Sequence, residues 1–375
     1  MIKKKKVLVS VINNISTDQR VEKVCNSLFK KGYEIFIIGT NLYGLPTLKR
    51  PYPTRRFNLV FQKKFLLFSE FNLKLFWHIL FRSDKNTILL ANDLDSLLPN
   101  YLVSKIKSIP LVFDSHEIYS ELPSVQGRFS QKIWKKLERY IIPKIKHFYT
   151  VSEGYADFFE KNYGNRPIVI KNVPLINTKP NKEIHITIDL PKNPQNKKIL
   201  LYQGVINFSR GIDKMIEAMK FVDNIQFWII GDGSLRKKYE NYTNELNLEN
   251  KVYFLGEIPS EQLKLITPMA DLGLSLEEDR GLSYRYALPN KLFDYIHAKI
   301  PVLGTYLPEI KKVIDKDQIG EVISEHSARE ISEKINLIIA KGKSYYLDNL
   351  DKASEKYNWE AQEANLLNIF YKASK

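Results

Sequence analysis

The residues best suited to chemistry stand where short apolar runs give way to loops. Gly204 follows Leu200-Leu-Tyr-Gln203 and precedes Phe208-Ser-Arg-Gly211. Glycine lets a ligand approach the backbone closely, and the Arg210 guanidinium offers a fork of donors matched to phosphate oxygens. Gly231-Asp232-Gly233 closes the next apolar run just ahead of a helical stretch, where free amides receive a base or a phosphate. The strongest element is Leu288-Pro-Asn-Lys-Leu-Phe-Asp-Tyr-Ile-His-Ala-Lys-Ile-Pro-Val-Leu303. Pro289 suits the first position of a helix, so the amides of Asn290, Lys291 and Leu292 are expected to point outward with the positive end of the helix dipole. That geometry suits a diphosphate. Asp294, one turn on, is placed to accept hydrogen bonds from two vicinal hydroxyls, as a ribose presents.

Such residues need rigid elements behind them. The chain has 375 residues, 44% of them hydrophobic and 12% aromatic, enough to bury two cores and to exclude a disordered or fibrous protein. One cysteine, Cys25, excludes an internal disulfide framework. Six scattered histidines without ligand spacing make a structural zinc site unexpected. The lysine run at the start leads into an apolar stretch, Val7 to Ile12, too short for a signal peptide. The longest uncharged run, Ile35 to Leu48, holds glycines and a proline, whereas a membrane span needs roughly 20 mostly apolar residues. The expectation is a soluble, cytoplasmic protein.

Charge is lopsided. Residues 1–180 carry 30 basic against 14 acidic groups, or +16; the remainder carries 27 against 28, or −1. One half therefore faces an anionic surface or polymer, unless the excess is compositional bias. Within it, Arg55 to Arg82 interleaves Lys63, Lys64, Lys74 and Arg82 with Phe57, Phe61, Phe65, Phe68, Phe71, Phe76, Trp77 and Phe81. Two readings stand: an interfacial helix on anionic lipid, or a buried helix packed on a sheet.

Val7–Ile12, Glu34–Gly39, Thr87–Ala91, Pro110–Asp114, His147–Ser152 and Ile168–Val173 read as buried parallel strands alternating with helices. Residues 177–197, rich in Asn, Lys and Pro, read as a linker. A second series follows, with strands at Lys198–Tyr202, Ile225–Ile230, Val252–Phe254, Leu272–Ser275 and Ile300–Leu303. The fold class is α/β: two Rossmann-like, doubly wound parallel-sheet domains facing across a cleft, with ligands at the carboxyl ends of strands. The boundaries are 1–177 for an N-terminal acceptor domain and 198–357 for a C-terminal donor domain, with a last helix, 358–375, crossing back.

With these motifs in view, the chain resembles the retaining family-4, or "group 1", glycosyltransferases of GT-B fold, from Val7 to about Tyr371. The resemblance implies transfer of a sugar from a nucleotide-diphosphate sugar, of UDP or GDP type, to an acceptor hydroxyl with retention. Asn14-Ile-Ser-Thr-Asp18-Gln-Arg20-Val21 matches the loop that meets acceptor or donor phosphate. Asp114-Ser-His116-Glu117 matches the segment whose histidine lies beside the transferred sugar, with Glu117 orienting the loop. Gly204 and Arg210-Gly211 match the start of the donor domain; Val205 stands at the family's arginine position and Arg210 at its lysine. Asp294 is the second acid of the paired-acid signature, whose first position is here Tyr286. No cofactor or metal is expected, since the one Asp-x-Asp, Asp93-Leu-Asp95, lies in the first domain. The implied acceptor is lipid-linked, at an anionic inner membrane face, in surface polysaccharide or glycolipid assembly, with no nucleic-acid partner. An epimerase of the same fold and a non-catalytic nucleotide-sugar binder are the alternatives.

Overall fold

Strands apolar on both faces must be covered on both faces, and that requirement organises the chain. The computed structural model describes residues 4–375 apart from 14, 17, 42–49, 62–63, 177–183 and 194. Two compact units are present, one of residues 1–172 with 362–375 and one of residues 173–361.

The first unit runs β1 (Lys6–Ser10), α1 (Gln19–Lys30), β2 (Glu34–Thr40), β3 (Thr54–Phe57), α2 (Lys64–Arg82), β4 (Thr87–Asn92), α3 (Leu94–Lys107), β5 (Leu111–Ser115), α4 (Phe129–Ile141), β6 (His147–Thr150), α5 (Glu153–Tyr163) and β7 (Ile168–Val169). Its parallel sheet has the order β3-β2-β1-β4-β5-β6-β7. Every residue of β4 and β5 is buried. The sequence connects outward to β2 and β3 on one side of β1 and to β4 onward on the other. The switch point, where such sheets hold ligands, is therefore the β1/β4 pair.

The second unit runs β8 (Lys198–Gln203), α6 (Ile212–Ala218), β9 (Ile225–Ile230), α7 (Arg236–Glu245), β10 (Val252–Gly256), α8 (Ser260–Ile266), β11 (Leu272–Ser275), α9 (Leu282–Arg285), α10 (Asn290–His297), β12 (Val302–Gly304), α11 (Pro308–Asp317), β13 (Gly320–Val322), α12 (Ala328–Lys341) and α13 (Lys343–Lys356). Its sheet order, β10-β9-β8-β11-β12-β13, places the switch point at β8/β11. The last helix, α14 (Trp359–Ser374), has its residues from Gln362 onward grouped with the first unit, where Phe370 packs edge-on against Tyr33 at 6.2 Å.

The α/β, doubly wound class holds for both sheets. Strands β3 and β13 are absent from the sequence reading, because Thr-Arg-Arg-Phe and Gly-Glu-Val carry no apolar run. Both lie at sheet edges, where a polar strand is tolerated. Helix α2 buries one face on the sheet, as the second reading expects, and leaves apolar residues exposed on another. Phe71, Leu75 and Ile79, spaced four apart, are fully buried, while Leu66, Leu73, Trp77 and Phe81 are exposed. Lys63 lies outside the described residues.

Candidate functional site

The residues singled out in the second unit gather at its switch point. Helix α10 begins at Asn290 because Pro289, with φ −72° and ψ 141°, is the extended residue before it. Pro289 is thus the N-cap residue and not the first helical one. The Leu292 amide donates to the Pro289 carbonyl at 3.2 Å, so it does not point outward with its neighbours as expected; the first turn tightens onto its own cap. Asn290 is exposed.

Lys291 is no surface charge: the residue is 9% exposed. Its Nζ lies 2.9 Å from Glu277 Oε1 and 4.0 Å from the Tyr202 ring centroid. Glu277 follows β11, is almost wholly buried, and accepts a hydrogen bond from Ser275 Oγ at 2.8 Å. Burial alone would raise its carboxyl, but Lys291 and then Arg210 hold it below the ordinary glutamate range. Arg210 lies over the Tyr284 ring at 5.3 Å. A Cβ on Gly204, at φ +140°, would meet Lys291 Cε and Nζ at 3.5 and 3.6 Å, so this loop runs directly beside the ammonium.

Asp294 accepts from Gln203 Nε2 at 3.0 Å, and Gln203 Oε1 in turn accepts from Thr267 Oγ1 at 2.9 Å. The next residue, Tyr295, is fully buried; its hydroxyl accepts from the Gln203 amide at 3.2 Å and donates toward the Leu201 and Leu274 carbonyls at 3.2 and 3.3 Å. A Cβ on Gly273 would stand 2.4 Å from that ring. Helix α10 is therefore fastened to β8 and β11 at mid-length.

Gly231, Asp232 and Gly233 are packed against the loop that follows β8. Cβ atoms at Gly231 and Gly233 would fall 2.0 and 2.2 Å from the Gly204 and Ile206 carbonyl oxygens. Ile206 donates its amide to the Asp232 carbonyl at 2.9 Å, and the Gly233 amide donates to Asp232 Oδ1 at 2.7 Å. These glycines let two loops of the protein pack together.

The first unit gathers a second set at its own switch point. Arg20 is not a loop residue but lies in the first turn of α1, 3% exposed. It donates to both Asp114 oxygens, at 2.9 and 2.8 Å, and to the Ile170 carbonyl at 2.9 Å. Asp18 caps the same helix, its Oδ1 accepting the Val21 amide at 2.9 Å. Asn14 lies outside the described residues. His116 stands between two carboxylates: Nε2 is 3.0 Å from Asp114 Oδ2, and Nδ1 is 3.4 Å from Asp93 Oδ2. Its amide donates to Asp93 Oδ1 at 2.7 Å. Asp93 thus holds the loop at the His116 amide, while Glu117 is exposed and its carbonyl takes the Ser115 hydroxyl at 2.8 Å.

Burial would lower the imidazolium of His116, but Asp93 and Asp114 more than offset it and push it up to about 10. Burial likewise works against the Asp114 carboxylate, yet Arg20 and His116 bring it down to about 2. Burial raises Asp93, and burial with the Asp93 charge lifts Asp95 well above the carboxylate range. Three residues here escaped the sequence reading. Glu277 stands upstream of Tyr286, outside the paired-acid spacing, though Ser-x-Glu at a strand end is a signal; Asp93 and Asp95 read in the sequence only as an Asp-x-Asp of the first domain.

Two family descriptions divide the chain. "Glycosyltransferase Family 4" matches residues 18–173, and "Glycosyl transferases group 1" matches residues 187–357. The chain belongs to the group 1 glycosyltransferases of GT-B fold. The chain is 23% identical over 183 residues to an uncharacterized glycosyltransferase of Methanocaldococcus jannaschii, covering 47% of this chain and 45% of that one. It is 26% identical over 193 residues to the poly(ribitol-phosphate) alpha-N-acetylglucosaminyltransferase of Staphylococcus aureus, covering 48% and 36%. The matched part thus spans less than half of either relative. The fold is that of Anabaena HepE, solved in complex with UDP, with a TM-score of 0.73, 14% identity and coverage of 98% and 100%.

Proposed function

We propose that the protein transfers a sugar from a nucleotide-diphosphate sugar to an acceptor hydroxyl, retaining anomeric configuration and using no metal. The observation that carries this reading is the Lys291 ammonium. It is buried beside Gly204 at the start of α10, with Arg210 near the same Glu277 carboxylate. Two fixed cations and the Asn290 and Lys291 end of a helix meet the charge that builds on a leaving diphosphate. Asp294, one turn along, receives the ribose hydroxyls. Metal independence is supported by the use of Asp93, whose carboxylate faces His116.

UDP is the donor base favoured, in line with HepE structures holding UDP, UDP with glucose, and UDP-glucose. Assembly of a surface polysaccharide or glycolipid is supported by the name of the staphylococcal relative and by α2. There Trp77 and Phe81 are exposed beside Arg55, Arg56, Lys74 and Arg82, around a groove of about 810 Å³. An amphipathic face of this kind suits an anionic interface, which supports a location at the inner face of the cell membrane.

The deciding experiment is thermal shift with UDP-, GDP- and ADP-sugars. A UDP-sugar at 100 times its Kd stabilises by about 2.7 kcal/mol, and no shift with any of the three removes the proposal. Turnover unaffected by EDTA is expected. Flotation with anionic but not neutral vesicles is expected of the membrane reading, and indifference to both removes it.

A further inference from the structure

Helix α2 carries two rows of side chains, one beside the other. Leu73, Trp77 and Phe81 recur every fourth residue and are exposed. Lys74, His78 and Arg82, each one residue further on, form the neighbouring row. Arg55 and Arg56 of β3 share with these rows the groove of about 810 Å³.

Acids are scarce around that groove. Strand β3, Thr-Arg-Arg-Phe, has none, and Glu70 is the one acid of α2. Glu70 is already engaged: it accepts the Val60 and Phe61 amides at 2.9 and 3.0 Å and the Lys74 ammonium at 2.6 Å. Among the described residues neither Arg55 nor Arg82 has a carboxylate partner. Arg82 lies instead over the Phe36 ring at 4.3 Å and donates from Nε to His78 Nε2 at 3.1 Å. With Nε2 accepting, the imidazole is neutral. The Phe36 and Phe57 rings flank it at 5.9 and 5.4 Å. Burial, then Arg82 and Arg55, hold His78 below the ordinary histidine value. The charged groups that face it are thus Arg82 from α2 and Arg55 from β3, while β2 presents the Phe36 ring.

Two arginines without acids beside an exposed apolar row match an anion joined to an apolar chain. A free anion would leave Trp77 and Phe81 in water, and an apolar chain alone would leave the arginines uncompensated. We propose that the groove between β3 and α2 binds the phosphodiester headgroup of an anionic membrane lipid, with the phosphate at Arg55 and Arg82 and the acyl chain along Leu73, Trp77 and Phe81. This rests on the membrane reading of the proposed function and deepens it: lipid is held one molecule at a time in a defined groove, in addition to the pull of a charged face. A phosphate at the two arginines offsets the repulsion that keeps His78 neutral. Binding therefore takes up a proton at His78, and the site tightens as pH falls.

The test titrates the full chain with dihexanoyl phosphatidylglycerol below its micelle-forming concentration. Fluorescence of the exposed Trp77 is the signal, with W77F as the control for the remaining tryptophans. Binding is expected to saturate and to be about tenfold tighter than for dihexanoyl phosphatidylcholine, which has the same chains without net charge. Inorganic phosphate at the same concentration should not displace the lipid. Arg55 and Arg82 are exposed. R55Q with R82Q should therefore melt within about 3 °C of the wild type, yet bind phosphatidylglycerol about 30-fold more weakly, and R55Q alone about fivefold. The lipid keeps its single charge between about pH 5.5 and 7.5, so a pH step belongs to the protein. The wild type should bind about fivefold more tightly at the lower value, and H78Q should lack that step. Equal affinity for the two lipids, displacement by inorganic phosphate, or an unweakened R55Q/R82Q variant overturns the site. A pH step that persists in H78Q overturns the role given to His78. Vesicle flotation reads the proposed function separately: a protein that floats yet fails these titrations keeps the membrane reading and loses the groove, and one that does neither loses both.

Discussion

The two units place charge at the same topological point in different balance. At β8/β11 one buried carboxylate, Glu277, stands among Lys291 and Arg210. At β1/β4 the carboxylates of Asp93, Asp95 and Asp114 stand among Arg20 and His116. Cations in excess suit a ligand that arrives and leaves with negative charge, whereas at β1/β4 Asp93 and Asp114 are matched by Arg20 and His116, because burial holds Asp95 well above the carboxylate range. One architecture thus carries two charge patterns, because the strand-end residues are free to change while the sheet behind them is not.

The sharpest way to break this contrast is to remove the cation. K291M should lower turnover by about 100- to 1,000-fold and abolish the donor-induced melting shift, as read by UDP release and thermal shift. The same change leaves Glu277 buried beside an empty place and should cost about 3 kcal/mol in urea unfolding. Adding E277L to K291M should recover at least half of that stability without any turnover, which separates the pair's structural from its catalytic use. In the first unit, D114N takes one charged partner from buried Arg20 and should cost about 3 kcal/mol by the same measurement.

A pH series reads the acid-rich end directly. His116 is raised in the folded state, so its contribution is complete below its unfolded value, about 6.5, and is lost as pH rises toward about 10. Asp114 is lowered, so its contribution is present above about 4 and is lost as pH falls toward about 2. The melting temperature should fall by several degrees between pH 6.5 and 10, and H116Q should flatten that limb while weakening the acid one, since Asp114 keeps only Arg20 of the two charges that hold it low. The smallest effect concerns Asp18: D18A should cost about 1 kcal/mol, and D18S, which still caps α1, should recover most of it.

The donor-side elements were legible because periodicity and punctuation agree there: a proline, a helical stripe and an acid one turn in. What the sequence hides is which way loop residues turn. Gly231 and Gly233 carry the composition of a ligand loop, yet their missing Cβ atoms make room for the Gly204 and Ile206 carbonyls. Arg20 has the chemistry of a phosphate contact, but its partner Asp114 is 94 residues away and appears only once β5 lies in place. Asp93 is the extreme case, since neither its positive φ nor its contact with the His116 amide leaves a trace in residue type.

Tyr295 carries one more consequence. Its hydroxyl pins the waist of α10 to two strands, and its ring fills the room left by Gly273. The helix is a post, not a hinge. Adaptation to another nucleotide must then come from the segments bordering it, 205–210 and 276–289, which are the places to edit when engineering donor choice.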